Sequence, residues 1–379
     1  MVFRLAADPR SATQGAALDQ TTDWPWLQQI AWEEGAIGAL KEHLRRCTPG
    51  HTPLEFERRV ACLALERTMR MRILEERFAK SLALLTSAGI HVALLKGAAL
   101  AATLYGSFDA RPMKDIDILV DPARAEEAKQ LMLGSGWQRD HELPDDSVYT
   151  THHHLAPLID ALGSRSRLEI HRTLLPIGHP FALSMSDLWR AMRPADVDGS
   201  RVFVLDPNHH ALHIAIHFAW SHTMRAGAWH AFRDLGAMDR AGMIDWPAFV
   251  RRATSARAST CCYWTLKLAR TMTGLPVPEH VLVALAPPVG RSLLNRLERH
   301  FVNVLVRRDS THLSPRLDRA LWSLAVQPRQ QGHGNARPWT VSAELTAARL
   351  RHDPPSPRDR IVRHAVRVAR CSIYIAGLL

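Results

Sequence analysis

Two aspartates one residue apart, Asp115 and Asp117, open the run Lys114-Asp115-Ile116-Asp117-Ile118-Leu119-Val120. Side chains alternate along a strand, so both carboxylates point to one face, about 7 Å apart along the backbone. Carboxylates held this way suit hard cations. Magnesium takes oxygen ligands in octahedral geometry and prefers one or two carboxylates plus substrate phosphates. Two such ions about 4 Å apart support an in-line phosphoryl displacement, activating the attacking oxygen and stabilising the departing one. An Asp-x-Asp pair alone is common at strand ends and turns, so its neighbours decide the reading.

Those neighbours agree with one another. Lys96-Gly97 follows a short apolar run and precedes a helix. Glycine there lets a phosphate approach the backbone, the helix start presents its positive end, and Lys96 adds a point charge. Arg111, in the loop before the aspartates, offers a planar fork for triphosphate oxygens. A third carboxylate is expected from an adjacent strand. Glu169, in Arg167-Leu168-Glu169-Ile170-His171, is the best placed, as metal ligand or as acceptor of the attacking hydroxyl's proton. Alternation puts His171 on the same face as Glu169, and His171 joins Lys96, Gly97 and Arg111 as a residue expected to contact the nucleotide.

The elements that must hold these residues follow from periodicity. Residues 23–88 carry apolar side chains at helical spacing, as in Leu65, Met69 and Ile73, then Phe78 and Leu82. At Gly89 the period changes. Residues 90–95 read as a buried strand, 98–105 as a short helix, 106–114 as a loop, 116–120 as a second strand and 123–134 as a helix. Residues 149–159 and 167–171 read as two further strands joined by a turn at Gly163-Ser164. The expected core is thus a mixed α/β unit with a sheet of four or five strands. Beyond Pro207, residues 209–218, 229–240, 246–253, 261–273 and 291–306 all show helical spacing. The expected organisation is a helical N-terminal unit (1–85), an α/β core (86–205), a helical C-terminal domain (206–326), and a tail of mobile connections and helices (327–379). The terminal helix, 360–375, sets Arg360, Arg363, Arg367 and Arg370 on one face. It reads as a helix docked on the body with a solvated basic face, with a membrane-surface role as the alternative.

The 379 residues carry a formal charge of +11, from 48 Lys and Arg against 37 Asp and Glu. That balance suits an anionic partner, a nucleoside triphosphate or a nucleic acid, and selects neither. Five cysteines, at 47, 62, 261, 262 and 371, form no metal-binding or disulfide framework and point to reduced thiols in the cytoplasm. The most apolar stretch, 82–105, is interrupted by Ser87, His91, Lys96 and two glycines, so no transmembrane segment is expected. His213 and His217 have the spacing of a helical zinc site, but Ile214 stands where a His-Glu-x-x-His site needs glutamate; they read as a wall of the substrate cleft. Residues 152–154 are three histidines, which on a strand would alternate faces, so at most two act together; His153 reads as a group behind the metal site.

Three segments carry a family resemblance: Leu94-Leu95-Lys96-Gly97-Ala98-Ala99-Leu100, then Leu104-Tyr105, then 111–120. Together they resemble the uncharacterised nucleotidyltransferases of the DNA polymerase beta superfamily. His153, the strand 168–171, His213, His217, Arg233-Asp234-Leu235 and Asp245-Trp246 resemble that family's pattern as well. The resemblance implies transfer of a nucleoside monophosphate from a nucleoside triphosphate, such as ATP, to an acceptor. Mg2+ or Mn2+ would be held by Asp115, Asp117 and Glu169, and Lys96, Gly97 and Arg111 would form the phosphate environment. It further implies a specialised acceptor, a peptide, saccharide or small molecule. Two rivals stand beside it: an inactive nucleotide- or nucleic-acid-binding protein of the same fold, and a transferase of another phosphate-linked group.

Overall fold

The computed structural model describes residues 2–6, 22–47, 52–161, 163–307 and 315–326. Three N-terminal helices, α1 (Trp24–Glu34), α2 (Ile37–Cys47) and α3 (Leu54–Ser87), lead into strand β1 (Ala93–Leu94). Helix α4 (Lys96–Leu100) continues as a π turn (Ala101–Tyr105), and β2 (Asp115–Leu119) and α5 (Ala125–Gly134) follow. Then come β3 (Trp137–Arg139), β4 (Leu158–Asp160), β5 (Arg167–His171), α6 (Met185–Ala191), β6 (Arg193–Val197) and β7 (Ser200–Val204).

The remainder is helical: α7 (Pro207–Ile216) with a π turn (His217–Ser221), α8 (Ala228–Arg240), α9 (Trp246–Ser255), α10 (Ser259–Thr273), α11 (Glu279–Leu285), α12 (Arg291–Arg307) and α13 (Pro315–Val326). Helices α1, α7 and α9 start alike. Asp23, Asp206 and Asp245 each accept a backbone N–H of the first turn, and a proline occupies the first or second helical position. That satisfies one orphan donor and pre-sets the backbone for the turn.

The mixed sheet has seven strands in the order β3-β4-β5-β2-β1-β7-β6. At its centre β2 runs parallel to β5 and antiparallel to β1, and β1 runs parallel to β7. Three of the seven strands escape the periodicity reading. β3 has three residues, too few to show a period, and β6 contains Pro194, tolerated because β6 lies at the sheet edge. The β6–β7 hairpin closes on Asp198-Gly199, with φ of 49° and 79°, the backbone a two-residue turn requires. The strand expected over 149–159 shrinks to β4, because 146–149 form a 3₁₀ turn and 152–153 a bend.

Helix α3 joins two hydrophobic cores. Its 34 residues span about 50 Å. Phe56, Val60 and Ala64 pack in the core shared by the N-terminal helices and α7–α13, whereas Met71, Leu74, Phe78, Leu82 and Leu85 pack under the sheet. The buried stripe includes Phe78 and Leu82, as the spacing implies, but Leu65, Met69 and Ile73 are exposed. Apolar residues occur on more than one face of α3, and its packing partners select which face is covered. No helix among the described residues is long and apolar enough to cross a membrane. The expected connections and basic helix of 327–379 lie outside the described residues.

Candidate active site

The parallel pairing of β2 with β5 sets Asp117 opposite Glu169 and Leu119 opposite His171. Asp117, only 3% exposed, is the hub. Its Oδ1 accepts from Lys96 Nζ at 2.7 Å and from His171 Nε2 at 2.9 Å, and His171 Nε2 lies 3.5 Å from Glu169 Oε2. One ligand atom each from Asp117, Glu169 and His171 lie within 4.8 Å of one another. Asp115, two residues earlier on the same face, lies outside this tight group and is exposed on the cleft.

Electrostatics separate the two aspartates. Burial alone would raise Asp117, but the Lys96 ammonium and the His171 hydrogen bond outweigh it and hold its carboxyl well below the usual range. Asp115 goes the other way, pushed up to about 6 by desolvation among its packed neighbours and by repulsion from Asp117 and Glu169. Burial disfavours charge on Lys96 and His171, yet the surrounding carboxylates hold both above their ordinary values. Lys96 and His171 thus keep Asp117 and Glu169 charged, while Asp115 alone is raised.

Lys96 reaches Asp117 from a strained backbone. Its φ is 45°, in the left-handed region that residues with a Cβ seldom enter. His210, on α7, is buried beside Lys96, and burial holds its ring down to about 4, neutral at pH 7. Strain of this kind persists where the surroundings over-determine it, commonly at functional sites.

Arg111 departs from the open fork expected of it. Its Nε and Nη2 both donate to Asp234 on α8 at 2.7 Å, and its Nη1 donates to the Pro112 carbonyl at 2.7 Å. Tyr105 donates its hydroxyl to the same Asp234 carboxylate at 3.0 Å. The guanidinium lies over Gly97, where an added Cβ would meet Nη1 at 3.2 Å. Gly97 thus makes room for Arg111, and Arg111 acts as a strut between sheet and helical layer.

A cleft of about 240 Å³ opens over Asp115 and Asp117. Glu33 and Glu34 from α1, Lys96 and Lys114 from the sheet side, His217 from the π turn after α7 and His222 just beyond that turn also line it. The helical wall holds His217, as the α7 spacing implied, while His213 sits fully inside, both ring nitrogens without hydrogen-bond partners. Their rings stand 6.1 Å apart, and among the described residues neither belongs to a converging metal-capable group. Residue patterns left out Glu33 and Glu34, since nothing local tells a helix end that it faces a distant sheet. Asp234 and Tyr105 were visible only through family-like runs.

A family described as uncharacterised nucleotidyltransferase matches residues 20–274. The chain belongs to this nucleotidyltransferase family. The matched span runs from α1 to the end of α10 and contains every residue lining the cleft. No curated protein and no solved structure matches it.

Proposed function

We propose that this nucleotidyltransferase moves a nucleoside monophosphate from a nucleoside triphosphate, ATP among the candidates, to an acceptor group and releases pyrophosphate. The observation that carries the reading is that Asp115, Asp117 and Glu169 share one sheet face: Asp117 lies in register with Glu169, and Asp115, two residues earlier, opens on the cleft. This donor set fits a hard divalent cation. It supplies oxygens from three carboxylates on one sheet face, the ligand type that magnesium-like ions take. Asp115, Asp117 and Glu169 would hold Mg2+ or Mn2+, which when bound supplies charge neutralisation and Lewis-acid activation for phosphoryl displacement.

The chain's own groups do the positioning. Lys96 and His171 fix the Asp117 carboxylate from two sides. Glu169 is the second carboxylate within reach, as ligand or as acceptor of the attacking hydroxyl's proton. Arg111 and Asp234 hold sheet and α8 at the separation that leaves the cleft open. The acceptor class, a peptide or saccharide, rests on the family resemblance. Free thiols at Cys62, Cys261 and Cys262 support a cytoplasmic location.

The test is to supply Mg2+ and α-labelled nucleoside triphosphates with a panel of acceptors, following label transfer and pyrophosphate. Equal release from wild type and Asp117→Asn overturns the proposal. One observation favours a second reading, binding without turnover: Asp117 is already paired internally by Lys96 and His171. Tight, salt-sensitive triphosphate or nucleic-acid binding with no label transfer is its signature. A donor screen separates a third, transfer of another phosphate-linked group, because only nucleotidyl transfer leaves the α-phosphate on the acceptor.

A further inference from the structure

His152, His153 and His154 have no part in the reaction above. The bend at 152–153 breaks the alternation of a strand and brings the three rings together, with centroids 4.0, 4.1 and 4.8 Å apart. One nitrogen from each lies within 4.8 Å of the other two. The backbone around them is pinned to β5: Leu155 N–H donates to the Ile170 carbonyl at 2.9 Å, and Arg172 N–H to the His153 carbonyl at 2.7 Å. The sheet therefore holds the trio in place, and within it the His154 backbone N–H donates to His152 Nδ1 at 3.4 Å.

Two of the three rings show where a lone pair is available. His154 Nδ1 donates to the Leu155 carbonyl at 2.7 Å, which fixes the tautomer and leaves Nε2 as the lone-pair nitrogen. His153 Nδ1 is buried and has no hydrogen-bond partner. A buried polar atom left unpaired carries a desolvation cost that a metal bond removes. Tetrahedral ligands at a Zn–N distance of about 2.1 Å stand about 3.4 Å apart, so nitrogens now within 4.8 Å of one another need close by no more than about 1.4 Å.

We propose that His152, His153 and His154 bind one transition-metal ion of the zinc class, at a site separate from the carboxylate site. Ligand chemistry distinguishes the two, because imidazoles select zinc-like ions and carboxylates select magnesium-like ones. His154 Nε2 lies 3.7 Å from Glu169 Oε2, so an ion held there steadies the chain beside Glu169. The site does not depend on the nucleotidyl-transfer reading and survives its failure.

The experiment uses the full chain, stripped with chelator and titrated with Zn2+ and Co2+, following bound metal per chain and the visible Co2+ spectrum. One equivalent of Zn2+ is expected, retained in Asp117→Asn and weakened by at least about 100-fold in His153→Gln and in His152→Gln. No bound equivalent in wild type, retention in both histidine variants, or loss in Asp117→Asn alone overturns the proposal. The last outcome places the ion on Asp117, Glu169 and His171. If the histidine variants do not fold, zinc-edge X-ray absorption of the wild-type complex decides: three imidazole nitrogens support the site, and fewer than three overturn it.

Discussion

Arg111 and Asp234, 123 residues apart in the chain, meet in a two-pronged ion pair that is buried on both sides. It links the loop before β2 to α8, the two walls of the cleft. Removing one partner leaves the other charge buried and unpaired. Asp234→Ala is expected to lower stability by roughly 3–5 kcal/mol in urea denaturation. An unchanged midpoint shows that the pair contributes nothing.

Asp117 is the better anchored of the two β2 aspartates, and Asp115 the more open. Asp117→Asn is expected to lower metal-dependent turnover by about three orders of magnitude, a loss of several kcal/mol of transition-state stabilisation. Mn2+ affinity, measured by electron paramagnetic resonance, should fall in Asp115→Asn and Glu169→Gln as well. Wild-type affinity in all three variants removes these carboxylates from the metal site.

Lys96 combines a charge that Asp117 needs with a backbone that only glycine enters freely. Lys96→Gly and Lys96→Ala both remove the ammonium, but only glycine relieves the left-handed strain. The glycine variant is therefore expected to be more stable than the alanine variant by about 1 kcal/mol. Equal stability, or a more stable alanine variant, argues against strain at this position.

Burial holds His210 and His300 each down to about 4 from an ordinary 6.5. In that interval the unfolded chain binds protons that the folded chain refuses, so stability must rise with pH. Thermal midpoints are expected to be level above pH 7 and to fall as pH drops from about 6.5 towards 4. A midpoint that is constant or rises on acidification from pH 7 to pH 5 contradicts this.

The sequence by itself determined the local part of the site. Alternation in Asp115-Ile116-Asp117 and Leu168-Glu169-Ile170-His171 placed each polar set on one face, because the period of a strand depends only on its own backbone. Helical spacing likewise identified α3 and α7–α10. Tertiary structure decided which faces meet. It paired Asp117 with Glu169 by laying β2 beside β5 and brought Lys96 onto Asp117. It buried Phe78 of α3 while leaving Met69 exposed, and it spent Arg111 on Asp234. It also bent 152–153, converting histidines read as alternating into a cluster. Backbone conformation is set mostly by near neighbours, whereas contacts between distant segments are set by the packing of the whole chain and leave no periodic trace along it.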